Sequence, residues 1–180
     1  MSDIIAICGS WRSKSVNRKL MRLAIKELNA AGLSVDELDM KQLAWPIYDG
    51  DIEESSGPPA SLVEWKAKIS ACRGVLVVSP EYNGSVPGGF KNGIDWLSRP
   101  PGNCFAGKII SVNNASAGAF GGVRGTMAIK GLFTHIDAWV VPGAMNLPKA
   151  ESAFDDAGEL KEEWMKKGLS KAMKTFVESL

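Results

Sequence analysis

Asp3-Ile4-Ile5-Ala6-Ile7-Cys8-Gly9-Ser10-Trp11-Arg12-Ser13-Lys14-Ser15-Val16-Asn17 is the stretch that decides the fold class. Its first six residues read as a short buried strand, because Ile4, Ile5 and Ile7 leave no polar face, and Gly9-Ser10 carries the chain into a loop. The next segment is helical. Val16, Leu20, Leu23, Ala24, Leu28 and Ala31 fall on one apolar stripe, and Gly32 stands where a C-terminal cap belongs. A buried strand running through a loop into an amphipathic helix is half of a βαβ unit.

The alternation recurs downstream. Leu33 to Met40 reads as a second strand, and residues 41 to 61, with Pro46, Pro58 and Pro59, as a loop. Ser61 is the expected cap of a helix bearing Leu62, Trp65, Ile69 and Cys72. Val75-Leu76-Val77-Val78 is an apolar run suited to a central parallel strand, stopped at Pro80. Phe90, Ile94 and Leu97 mark a helix, Lys108 to Asn113 a strand, Ile129, Leu132, Phe133 and Ile136 a helix, and Ala138 to Val141 the last strand. Residues 159 to 180 form a closing helix with Met165, Leu169, Ala172, Met173, Phe176 and Leu180 on one face. Five strands alternating with five helices predict a doubly wound α/β fold, a three-layer sandwich around a parallel sheet, because each parallel crossover needs a covering helix. The commonest order for this element count is 2-1-3-4-5. Ligands then bind outside the carboxyl ends of the strands, between the first and third. Residues 1 to 180 read as one domain, without repeat or linker.

Composition removes several function classes. The 180 residues carry 21 Lys+Arg against 20 Asp+Glu, a net charge of +1, which argues against whole-protein binding to nucleic acid or an anionic membrane. A hydrophobic content of 45% excludes disorder. Cys8, Cys72 and Cys104 are odd in number and contain no C-x-x-C, so no disulfide framework or zinc knuckle is expected. Asp3 replaces a basic leader region, and the apolar run that follows it is too short for a signal peptide or a span. A cytoplasmic protein is expected.

Three loops lie at the predicted ligand edge. Gly9 to Asn17 offers three hydroxyls, Ser10, Ser13 and Ser15, an amide and two cations, and opens directly into a helix whose free N–H groups and positive dipole end suit a phosphate. Between Arg12 and Lys26 stand six basic residues and no acidic one; the alternative is a solvated basic face capped by Ser13 or Ser15. The 19 glycines contain no G-x-G spacing and no G-x-x-x-x-G-K-[ST], so neither a dinucleotide fingerprint nor a P-loop is present. The second loop, Pro80-Glu81-Tyr82-Asn83-Gly84-Ser85-Val86-Pro87-Gly88, places an aromatic ring among turn formers, either for a flat heteroaromatic ligand or as a tight turn with a surface tyrosine. The third, Asn114 to Gly122, is small and glycine-rich, so backbone can approach a ligand closely.

Together the three loops carry a family resemblance. G-S-x-R-x-x-S-x-N, then P-E-Y-N-x-S-x-P-G with K-N-x-x-D-W, then a serine and glycine loop ending Gly121-Gly122-Val123-Arg124, resemble the NADPH-dependent FMN reductase family over residues 3 to 145. That resemblance implies a flavodoxin-like fold with FMN as cofactor and NADPH or NADH as electron donor. It implies Ser10, Arg12, Ser15, Val16 and Asn17 at the FMN phosphate, Pro80, Glu81, Tyr82 and Asn83 along the isoalloxazine, and Ser116 and Gly118 at its pyrimidine end. Ala119-Phe120 departs from the usual small residues of the third loop. The implied acceptor is a small molecule: a quinone, an azo compound, a metal oxyanion such as chromate, or free flavin. The chemistry belongs to the cofactor, so no catalytic side chain is assigned. Two alternatives stand beside the enzyme, a flavodoxin-like one-electron carrier and a non-redox scaffold for another phosphorylated ligand. The near-neutral charge favours the enzyme over a carrier.

His135 is the only histidine, which excludes paired metal histidines, and it is expected to be structural or at the surface. Cys8 is expected to pack as a small apolar residue. The resemblance implies a homodimer or homotetramer. Phe90, Ile94, Trp96 and Leu97 exceed one helix face, so some of them are expected to meet the partner.

Overall fold

The structure, a computed structural model, describes residues 2–99 and 102–180. It runs β1 (Ile4–Cys8), α1 (Val16–Ala30), β2 (Val35–Leu38), α2 (Met40–Leu43), α3 (Gly50–Ser56), α4 (Ala60–Ala71), β3 (Gly74–Val78), α5 (Gly88–Leu97), β4 (Ile109–Ala115), α6 (Val123–His135), β5 (Trp139–Val140), β6 (Asn146–Leu147) and α7 (Glu163–Ser179). The strand order is β2-β1-β3-β4-β5, all parallel, as expected. β6 adds a further parallel pairing, Asn114 with Asn146 and Ala115 with Leu147. The outer edge of β4 is thus shared by two short strands, β5 at its start and β6 at its end.

Every residue of β1 and β3 is buried, and alternation divides them between two cores. Ile4, Ala6, Cys8, Leu76 and Val78 face α1 and α7; Ile5, Ile7, Val75 and Val77 face α4, α5 and α6. Helices on both faces explain why these strands read as unbroken apolar runs.

The structure corrects four expectations. The span 41 to 61 contains α2 and α3, where a loop was expected. Both helices are set by aspartate caps, with Asp39 accepting from the N–H of Lys41 and Gln42 and Asp49 from that of Asp51. α3 buries no residue, so it has no apolar period to detect. Ser61 does not cap α4; Pro59 holds the cap position, and the Ser61 hydroxyl accepts the Trp45 indole N–H at 2.9 Å. The closing helix begins at Glu163, after a turn region. Finally, Phe90, Ile94, Trp96 and Leu97 are all buried inside the chain. The segment before α3 covers the far side of α5: the Trp96 N–H bonds the Pro46 carbonyl at 2.8 Å, and its ring meets Tyr48 edge-on at 5.1 Å.

Among the described residues no helix is long and apolar enough to cross a membrane.

Candidate functional site

Above the carboxyl ends of β1, β3 and β4 lies a cavity of about 290 Å³. The α1 N-terminus forms one wall. Ser15 caps the helix in extended geometry, its hydroxyl accepting the Arg18 N–H at 3.3 Å. The N–H groups of Val16 and Asn17 precede the first intrahelical donor, Lys19, which bonds the Ser15 carbonyl at 3.2 Å, so they remain free for an anion. Ser10, nearly fully buried, offers its hydroxyl from the loop floor, and Arg12 and Lys14 bring two cations to the rim.

The structure gathers Ser10, Arg12, Ser15, Val16, Asn17, Pro80, Glu81, Tyr82 and Ser116 into this one lining. Asn83 and Gly118 stand outside it. Asn83 and Gly84 form the tip of a two-residue hairpin, with Tyr82 and Ser85 exchanging both backbone hydrogen bonds at 3.1 and 3.0 Å. Both tip residues have positive φ, 51° and 72°, a conformation that selects Asn-Gly and directs Tyr82 and Ser85 to the same side of the turn. Asn83 therefore shapes the loop. Gly118 accepts from the N–H of Gly121 and Lys149, tying the third loop to the chain after β6. Phe120, the departure noted in that loop, points away into solvent and is 76% exposed.

Two predicted residues have partners that the sequence did not disclose. The Asn17 side chain donates to the Ala115 carbonyl and accepts the Ala115 N–H, both at 2.8 Å. Ser79 marks the end of the β3 ladder with its bond to the Asn113 carbonyl, so beyond it Asn17 replaces the missing strand neighbour of β4. The Glu81 carboxylate accepts the Gly125 N–H at 2.9 Å and the Arg124 Nε–H at 3.2 Å. It thereby caps α6 from outside and anchors the second loop to that helix.

Lys14, one of the two cations read in the first loop, also lines the cavity, as do Ala115, Ala117 and Glu151, none of which was among the predicted site residues. Glu151 arrives because Lys149 and Ala150 donate to the carbonyls of Gly118 and Ser116, extending the β6 pairing. No local pattern announces a contact of that range. Below the cavity floor, burial pushes the Cys8 thiol up, so it stays protonated at neutral pH.

The donor set fits FMN at its phosphate end: hydroxyls, free helix N–H groups and two cations converge on one wall, while the partly exposed Tyr82 ring stands at another. Comparison with known proteins agrees. The family profile described as NADPH-dependent FMN reductase matches residues 2–152. The chain belongs to this family. It is an FMN-dependent NAD(P)H oxidoreductase, which sets aside the carrier and scaffold alternatives. A quinone reductase of Escherichia coli strain K12 is 36% identical over 147 residues, covering 82% of this chain and 75% of the relative. An NAD(P)H-dependent FMN reductase of Pseudomonas aeruginosa is 36% identical over 165 residues, covering 89% and 86%. In three dimensions this member of the family is similar to the flavoenzyme NAD(P)H:(acceptor) oxidoreductase FerB of Paracoccus denitrificans, with a TM-score of 0.85 and 30% identity over 99% of this chain and 96% of that one.

Proposed function

We propose that the cavity seats FMN with its phosphate on the α1 N-terminus, and that the enzyme serves as a quinone reductase. One observation carries the reading: Ser10, Ser15, the N–H groups of Val16 and Asn17, Arg12 and Lys14 share a cavity with Tyr82. When bound, FMN supplies two-electron chemistry between a nicotinamide nucleotide and an acceptor. The chain's own residues bind and orient. The α1 N–H groups and Ser10 fix the phosphate; Ser15 holds those N–H groups in register; Glu81 holds the Pro80–Tyr82 backbone against the flat ring; Asn17 keeps the first and third loops at a constant separation. Asn83 and Gly118 act through loop shape. Quinones are the favoured acceptors because relatives across most of the chain bear that name. Azo compounds, chromate and free flavin belong to the same reading, since no side chain of the site selects one acceptor by chemistry.

The phosphate assignment predicts much tighter binding of FMN than of riboflavin. Ser15→Ala narrows that gap by loosening the helix start, and calorimetric titration of both flavins measures it. Equal affinity in the unaltered chain would remove the phosphate from α1.

The reading extends to a homodimer or homotetramer. With the α5 residues buried, the candidate surface becomes Phe120, Val123 and Met127, which are 76%, 38% and 66% exposed along the start of α6. Light scattering should give two or four chains; a monomer at micromolar concentration would contradict it. Residues 1 to 180 act as one domain in this reading, and a reducing cytoplasm suits three free, buried thiols. Retention of all three as thiols in freshly lysed cells tests that placement.

A further inference from the structure

A second cleft, of about 420 Å³, lies beside the first, between loop one, the exposed face of α1 and the start of α2. Arg12 lines both. The cleft is rich in cations: Arg18 and Arg22, one helical turn apart, Lys41 and Arg12. Their situations differ. Arg18 is neutralised, with its guanidinium 3.2 Å from Asp39 and 3.8 Å from Glu37. Asp39 in turn is held by that pair and by the α2 N–H groups of Lys41 and Gln42. Arg12, Arg22 and Lys41 have no ion-pair partner among the described residues. Three unpaired cations around one concavity on a chain of net charge +1 are a local excess with a ligand-sized footprint.

The cleft also has an aromatic wall. The Trp11 indole lies over Gly89 at the start of α5, so closely that a Cβ there would fall 2.6 Å from two ring atoms. Only glycine admits that approach. The ring is fixed on one side and 39% exposed. An aromatic surface beside unpaired cations fits a planar base carrying phosphate.

We propose that this cleft binds the 2′-phosphorylated adenosine half of NADPH, with the purine against Trp11 and the 2′-phosphate among Arg22, Lys41 and Arg12. The inference rests on the flavin reading, because Arg12 connects the cleft to the cavity where the nicotinamide end must work. NADPH differs from NADH by this one phosphate, which carries nearly two negative charges. An acidic residue free to bond a bare ribose would favour NADH. Asp39, the carboxylate lining the cleft, is engaged by Arg18 and α2. The site therefore gives the enzyme a preference for NADPH, and it does so outside the flavin cavity.

The test uses the full chain, freed of FMN and reloaded. Adenosine 2′,5′-bisphosphate and 5′-AMP are titrated calorimetrically into the FMN-free protein, and the Arg22→Gln/Lys41→Gln variant is titrated alongside. The bisphosphate should bind about tenfold more tightly than AMP, the scale of one charge-assisted contact, and the variant should lose that preference. In the FMN-loaded variant KM should rise about tenfold for NADPH, while KM for NADH and the FMN affinity stay within about twofold. Mass spectrometry on the unaltered chain gives a readout without substitutions: saturating bisphosphate should shield Lys41 from acetylation. Absence of a bisphosphate preference, an unshielded Lys41, or a parallel rise of both KM values would overturn the proposal. Should neither nucleotide reduce the flavin, the donor reading fails, and the titration of the FMN-free chain still decides whether the cleft is a 2′-phosphate site.

Discussion

Replacing Asn17 separates a structural clip from a phosphate ligand. Its amide bonds the Ala115 N–H and C=O at 2.8 Å each, in a place where Asn17 and Ala115 are both buried and β3 no longer supplies partners. Asn17→Ala leaves two buried backbone groups unpaired, at about 1 to 3 kcal/mol each, so the expected loss of stability is about 2 to 6 kcal/mol. For a chain of this length that lowers Tm by about 4 to 24 °C. Asn17→Asp is the sharper variant. It keeps an acceptor for the Ala115 N–H but sets a carboxylate against the Ala115 carbonyl, so it should cost more than alanine at neutral pH. The buried carboxyl, with its pKa raised in the folded state, then favours folding only while protonated. The variant should therefore regain stability as pH falls through the raised folded value toward the ordinary carboxylate range, and lose it again as pH rises. Urea unfolding of the three proteins across that range is the assay. A loss below about 0.5 kcal/mol for Asn17→Ala, or an aspartate variant insensitive to pH, would refute the clip.

Glu81→Ala removes the acceptor of the Gly125 N–H, and the Arg124 partner adds little because that side chain is 71% exposed, so about 1 to 3 kcal/mol of stability should go, with weaker FMN binding. Glu81→Gln keeps a neutral acceptor and should lose less than half as much in the same urea titration. Burial pushes the Cys104 thiol up to about 12 and raises Cys8 and Cys72 as well. Above about pH 9 the unfolded chain therefore holds fewer protons than the folded one, and the unfolding free energy should fall as pH rises from there toward 12. Mass spectrometry after iodoacetamide treatment should find the native chain unmodified at mildly alkaline pH and the urea-unfolded chain modified at all three cysteines.

The elements legible in the sequence were those whose burial sets a period. Ile4 to Cys8 and Val75 to Val78 are covered on both faces, so they print as apolar runs; α1 buries Leu20, Met21, Ala24 and Leu28, so it prints as a stripe. The helices α2 and α3 rest on the caps Asp39 and Asp49 and escaped a reading based on apolar spacing. The α5 residues show a different limit. Helical geometry says that Trp96 cannot face the sheet together with Phe90, but only the fold reveals that Pro46 and Tyr48 cover it. At the site, residues contributed by contiguous loops were legible as a motif. The commitments of Asn17 to Ala115 and of Glu81 to Gly125 span 98 and 44 residues, and Glu151 enters through the β6 pairing, so none leaves a local signature.

Anaerobic titration of the FMN-loaded chain with NADPH, and separately with NADH, tests the central claim most directly. The account predicts that about one equivalent of nicotinamide nucleotide abolishes the flavin's visible absorbance and that a quinone added afterwards restores it. Visible absorbance that persists in full with both nucleotides would contradict it.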